Sequence, residues 1–309
     1  MNIAFFGTPD FAVPSLREIN KSSHNILATI TGVAKPSGRG QKLNKTAIYH
    51  ESEKLGIPVI EVDDLLNPYF IETIESLEID IFIIVAFRIL PEKIFSIPKY
   101  GTVNLHASLL PKYRGSAPIH HAILNGETKT GITTFQINNR VDAGSIYLQE
   151  EYIITNKATT GMVWDDLSIA GASLLVKTLD QIENNSISPI KQDLQKASPA
   201  PKLKSEMFCI NWNKSSLEIH NQIRAFSPKP GAFTKFEGLR IKLFDSELGD
   251  SFRSKPGIGT IIEDKLLIGT ADGDLVVRSV QLEGKKKMPV ADFHKGITSK
   301  VEGKVISFG

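Results

Sequence analysis

The sequence predicts an α/β domain on a mainly parallel sheet, followed by a small all-β domain. Three observations carry this. Over about the first 150 residues, short apolar strand runs alternate with amphipathic helical runs, the pattern of repeated βαβ units. One run, IDIFIIVAF at 79–87, is apolar on both faces, as a central parallel strand must be. Beyond residue 206, short strands recur at close spacing between glycine-containing turns.

The elements follow in order. Asn2 to Gly7 is a first strand, and Asp10 to Ile19 a helix with Pro14 in its opening turns. HNILATITGV is a second strand. TAIYHESEKLG is a helix closed by Gly56, and PVIEV a short third strand. NPYFIETIESLE is a helix, IDIFIIVAF the central strand, PEKIFSIPK a short helix and GTVNLHAS another strand. APIHHAILNG is a helix ending at Gly126. KTGITTFQINN and GSIYLQEEYII follow as strands with no helix between them, which predicts an antiparallel edge. The long helical period of MVWDDLSIAGASLLVKTLDQIEN closes the first domain, set at residues 1–184. The polar, proline-containing stretch at 185–206 reads as a linker. Residues 207–309 then hold a helix, SLEIHNQIRAF, and the strands RIKLFDSEL, GIGTIIED, KLLIGTA and GDLVVRSVQ, for which an OB-like barrel is expected.

Composition bounds the function. The 309 residues are 41% hydrophobic and 23% charged, as in a globular protein with a sizeable core. Cys209 is the sole cysteine, so no intramolecular disulfide and no cysteine-rich metal site can form. The longest apolar run is too short for a membrane helix, and MNIAFFGTPDF lacks a basic leader region. A cytoplasmic location is expected, and nothing calls for an oligomer beyond a monomer. Residues 207–309 hold 16 Lys+Arg against 12 Asp+Glu, whereas residues 1–206 hold 20 against 22. The basic C-terminal third is compatible with a polyanionic partner or with chance variation.

One stretch carries chemistry. In VNLHASLLPKYRGSAP (103–118), Asn104 and His106 stand two apart on a strand and share a face. They sit at its carboxyl end, where ligands bind in open α/β sheets. An amide can donate to a developing oxyanion, and an imidazole can carry a proton near neutral pH. No serine or cysteine elbow adjoins them, so the nucleophile can come from a substrate. Asp142, in the turn NNRVDAGSIY, is the best carboxylate to orient the imidazole. Amide, imidazole and carboxylate together suit attack on a carbonyl carbon. On spacing alone, a satisfied polar pair at a strand end, a plain turn residue and a solvated face for Lys112 and Arg114 are the more common readings. No GxGxxG follows the first strand, so a nicotinamide cofactor is not expected.

NLHASLLPKYRGSAPI closely resembles the signature of formyltransferases that use 10-formyltetrahydrofolate. FFGTPDFAVPSL, KPSGRGQKL at 35–43, APKLKSE at 200–206, NQIRAFSPKPGAF at 221–233 and QLEGKKKMP at 281–289 resemble the methionyl-tRNA formyltransferases within that family. The resemblance runs in order along nearly the whole chain. It implies a Rossmann-like catalytic domain, then an OB-like tRNA-binding domain. It also implies formyl transfer to the methionine α-amino group of initiator methionyl-tRNA, the one-carbon step of translation initiation.

The family's catalytic residues fall on Asn104, His106 and Asp142. Its folate-binding SLLP falls on Ser108, Leu109, Leu110 and Pro111, and the pterin is expected near Phe87, Arg88, Ile89 and Leu90. The 10-formyltetrahydrofolate is a consumed cosubstrate, with no metal and no permanently bound cofactor. In KPSGRGQKL, Gly38 and Gly40 flank Arg39. The family's loop at this place reaches the tRNA acceptor end, which assigns Arg39 and Lys42 to tRNA, with Lys285, Lys286 and Lys287 toward its backbone. By themselves these stretches also read as a flexible surface loop and a solvated charge run. Arg88 stands where many members have glycine, and RVDAGSI where GLDTG is common. Two other readings are a folate-dependent formyltransferase of nucleotide sugars or purine precursors, and a tRNA-binding protein with a dead site. The first would not need the 35–43 and 281–289 stretches, and the intact Asn104, His106 and Asp142 argue against the second.

Overall fold

The structure is a computed structural model that describes residues 1–37, 42–249, 254–297 and 305–309. The chain forms two compact units. The first comprises Met1–Pro118, Thr130–Tyr152 and Trp164–Ala200, and the second Ile119–Lys129, Ile153–Val163 and Pro201–Gly309.

In the first unit, β1 (Asn2–Gly7), β2 (Asn25–Gly32), β5 (Val59–Val62), β6 (Ile81–Val85), β7 (Thr102–His106), β8 (Lys129–Gln136) and β9 (Ile146–Ile153) form one sheet, in the order β5-β2-β1-β6-β7-β8-β9. The pairs β2/β5, β1/β2, β1/β6 and β6/β7 are parallel, and β7/β8 is antiparallel. The expected antiparallel edge is present: Gln136 N–H donates to the Ser145 carbonyl, while Gly131 lies against the Glu150 carbonyl further from the turn. β6 is buried at every residue, as its two-sided apolar run requires. Phe6, Phe82, Ile84 and Ile30 pack with Phe70, Ile71 and Ile74 of α3 (Pro68–Glu75) into a core on one face.

Local chemistry sets the helices. α1 (Val13–Lys21) carries its proline in the first turn, where no N–H is lost. Thr46 caps α2 (Ala47–Leu55) by accepting from the Tyr49 N–H, and Gly56 ends it at φ 71°. α4 (Glu92–Phe95) is the short helix before β7, and α6 (Thr160–Glu183) is the long one. Between β2 and α2, Lys35–Ser37 (β3) and Lys42–Asn44 (β4) pair as an antiparallel hairpin.

The segment expected as a linker is, through Ala200, part of the first unit. Ile190 exchanges both backbone hydrogen bonds with Ile146 at 2.8 Å, and the Ala200 N–H donates to the Arg114 carbonyl at 2.6 Å. It acts as a strap along a strand edge and a loop, which its polar, proline-containing composition concealed.

The second unit is an antiparallel, barrel-like sheet. Its strands are β10 (Phe233–Phe236), β11 (Leu239–Leu248), β12 (Ile258–Ile262), β13 (Lys265–Gly269), β14 (Asp274–Leu282) and β16 (Val305–Ser307), in the order β10-β11-β14-β13-β12-β16, with β15 (Met288–Pro289) beside β14. Gly309 N–H donates to the Lys235 carbonyl at 3.3 Å, drawing the two edges together. The core is filled by Ile241, Leu243, Leu266, Ile268 and Val277 from the strands, and by Ile219, Ile223 and Phe226 from α7 (Ser216–Ala225) and its end. Val290 and Phe293 of α8 (Val290–Ile297) add to it. α5 (Pro118–Leu124) contributes Leu124 to the same core. Ser215 and Glu218 form a capping box at the start of α7. Among the described residues, no helix is long and apolar enough to cross a membrane.

Candidate active site

β6 and β7 run parallel, so their carboxyl ends open on the same edge of the sheet. A cleft of about 290 Å³ lies there. Its walls come from Phe87, Arg88, Ile89 and Leu90 after β6, from Asn104 on β7, and from Asn138 through Asp142 after β8. Phe95, Phe135 and Ile137 make the interior apolar, while Ile89 and Val141 remain exposed at the rim. The four residues expected around a pterin thus share one cavity with Asn104 and Asp142. The Arg88 guanidinium turns to the carbonyls of Val62 and Asp63, tying this wall to the end of β5.

Asn104 and His106 lie on one face of β7, as their spacing requires. The Asn104 Oδ1 is buried without a hydrogen-bond partner. Buried polar atoms are nearly always paired, and an orphan lining a cleft is what a site awaiting a polar ligand presents. The His106 ring is buried, and its Nε2 lies 2.8 Å from the Tyr113 carbonyl. A carbonyl only accepts, so Nε2 carries a proton, and the tautomer this selects has its lone pair on Nδ1. Asp142 Oδ2 stands 3.7 Å from that Nδ1, longer than a hydrogen bond, and accepts from the Gly115 N–H at 2.8 Å. Asp142 itself sits at φ 49°, in the left-handed region.

These positions depend on groups that the sequence did not advertise. The chain from Ser108 to Gly115 folds back so that the Tyr113 carbonyl meets His106 and the Gly115 N–H meets Asp142. Gly115 has φ 124°, and a Cβ there would strike the Ala200 carbonyl of the strap. Ser108, Leu109, Leu110 and Pro111 shape this turn and do not line the cleft. The Ser108 hydroxyl donates to the Lys112 carbonyl, the Leu110 N–H donates to the Thr133 hydroxyl, and Gln149 Nε2 donates to the Leu110 carbonyl. Backbone partners such as Tyr113 O have no side-chain signature, so spacing rules could not find them.

Arg39 lies outside the described residues. Lys42 opens β4 of the hairpin. Lys285, Lys286 and Lys287 are exposed in the turn between β14 and β15. Lys287 pairs with Asp245 at 3.0 Å and lies over the Phe244 ring. Among the described residues, no cluster of three His, Cys, Asp or Glu could hold a metal ion.

The formyl transferase model matches residues 1–179, and the formyl transferase C-terminal domain model matches residues 202–298. The chain belongs to the formyl transferase family. It is 40% identical to the methionyl-tRNA formyltransferase of Azobacteroides pseudotrichonymphae, over 95% of each chain. It is 42% identical to that of Moorella thermoacetica, over 96% of each chain. Among solved structures, an N-formyltransferase from Helicobacter canadensis, in complex with folinic acid and dTDP-3-aminofucose, is 25% identical with a TM-score of 0.67. It covers 93% of this chain and 99% of its own. The methionyl-tRNA formyltransferase from Clostridium thermocellum shares the fold with a TM-score of 0.56 at 18% identity, over 81% of this chain and 94% of its own.

Proposed function

We propose that the chain transfers the formyl group of 10-formyltetrahydrofolate to the α-amino group of methionine on initiator methionyl-tRNA, in the cytoplasm, for translation initiation. The observation that carries the chemistry is the Asn104 side chain lining the cleft, its Oδ1 buried without a partner, beside the His106–Asp142 pair. The names of the relatives at about 40% identity support the acceptor.

The folate is held along Phe87 to Leu90, while the turn at Ser108 to Pro111 sets the loop whose Tyr113 carbonyl and Gly115 N–H face His106 and Asp142. The methionyl amine attacks the formyl carbon, and a C–N bond forms. The Asn104 amide donates to the oxyanion of the tetrahedral intermediate, a contact worth most where water is excluded. His106 relays the amine proton towards the folate nitrogen through its free Nδ1, and the Asp142 carboxylate stabilises the imidazolium that forms in passing. The bond from carbon to that nitrogen then breaks, releasing tetrahydrofolate and formylmethionyl-tRNA. Arg39, Lys42 and the Lys285–Lys287 turn supply cationic contacts to tRNA, so binding weakens steeply with salt.

The test is formylation of charged initiator methionyl-tRNA, with charged elongator methionyl-tRNA in parallel. Rapid transfer to the initiator alone is expected. No transfer to either by folded protein would sink the reading and direct the search to amino sugars carried on nucleotides.

A further inference from the structure

We infer that Gln192 is a positioning residue for the reaction, setting Asp142 against His106; the inference rests on the reading of those two residues as catalytic. Its half-buried amide joins two separate pieces of the site. Gln192 Nε2 donates to the carbonyls of Asp142 at 3.0 Å and Gly144 at 2.7 Å. Its Oε1 accepts from Arg114 Nε at 3.1 Å and Nη2 at 2.6 Å. The orientation is forced, because a guanidinium only donates and a carbonyl only accepts. Every hydrogen bond that this amide makes serves the site. One pair holds the turn that carries Asp142. The other holds the loop whose Tyr113 carbonyl and Gly115 N–H face His106 and Asp142.

The hold matters because Asp142 is in the left-handed region, which a non-glycine residue keeps only when its surroundings over-determine it. The carboxylate and the ring are already 3.7 Å apart. Further drift would leave the imidazolium without its counter-charge. Gln192 itself is absent from the residues lining the substrate cleft, so its loss removes no side chain from the cleft's lining.

Gln192→Met matches the side chain in length and removes all four hydrogen bonds. Gln192→Glu keeps the acceptor for Arg114 and turns a carboxylate on the two carbonyls. Each is assayed for kcat and KM with both substrates, alone and combined with Asp142→Asn, after thermal unfolding shows that it folds. The expected result is a kcat loss of about tenfold to a hundredfold, the scale of a small misplacement, with both KM values within about twofold. In the Asp142→Asn background, either change adds less than about twofold, because residues acting as one unit do not add. Asp142→Asn losing activity while Gln192→Met keeps it would overturn the inference and leave the site standing. The same holds if the Gln192 loss recurs in full on top of Asp142→Asn, or if neither variant folds, since Gln192 is then a general structural support. An Asp142→Asn enzyme as active as the parent would remove the reading of the site itself, and the inference with it.

Discussion

Asn104 makes activity and stability pull in opposite directions, and its replacement tests both. Its Oδ1 is buried without a partner. Leaving a buried acceptor unsatisfied costs about 1–3 kcal/mol. Asn104→Leu keeps nearly the same shape, removes that atom and adds apolar surface beside Phe135, the cross-strand partner of Asn104 on β8. The folded state should gain about 1–2 kcal/mol, or a rise in Tm of about 2–8 °C for a domain of this size. The same change removes the amide proposed to donate to the oxyanion, and should cost about a hundredfold to a thousandfold in kcat, or about 3–4 kcal/mol of barrier. Differential scanning calorimetry reads the first quantity. Steady-state formylation at saturating donor and initiator methionyl-tRNA reads the second. A variant that is less stable than the parent would refute the orphan-atom argument, because it would mean that the amide is satisfied in the folded protein. A kcat within about tenfold of the parent would refute the oxyanion role.

Three further outcomes are expected. Gly115→Ala forces a Cβ into the Ala200 carbonyl at φ 124° and should cost about 3 kcal/mol, lowering both Tm and kcat; parent-like calorimetry and kinetics would contradict this. His120 is held neutral by burial, and next by the neighbouring His121, with its pKa down from 6.5 to about 4. The unfolded chain therefore binds the proton first as pH falls. The stability this group contributes is complete above pH 6.5 and drains away between 6.5 and about 4, by about 2 kcal/mol after allowance for solvent reaching the ring. His120→Asn should flatten the acid side of a chemical-denaturation series by that amount, and an unchanged slope would sink the assignment. Finally, Lys285→Ala with Lys286→Ala should raise KM for tRNA, leave KM for the donor alone and make the salt dependence shallower, by about one unit of log–log slope per lost phosphate contact; an unchanged slope would remove these lysines from the interface.

Much of the fold was legible because the two periods that encode it are local. The alternation of strand and helix runs, the two-sided apolar β6, Gly56 after α2 and the turn between β8 and β9 are each set by neighbours a few residues apart. The pairing of Asn104 with His106 was legible for the same reason, since strand geometry alone puts residues two apart on one face. Asp142 could be named as a candidate from its turn, but its approach to His106 depends on the antiparallel return of β8, a non-local contact. The strap was not legible at all. Gln192, Ser198 and Ala200 sit in a polar run whose composition is that of a linker. Their partners at Arg114, Tyr113 and the Asp142 turn lie tens of residues away in the chain. The amino-acid order by itself determined the elements, their faces and the candidate reactive groups, because side-chain period and turn chemistry act over short range. Only the tertiary structure decided which backbone carbonyl fixes the imidazole, which N–H holds the carboxylate and which amide of a supposed linker ties them together. Hydrogen bonds between distant segments leave no period in the sequence.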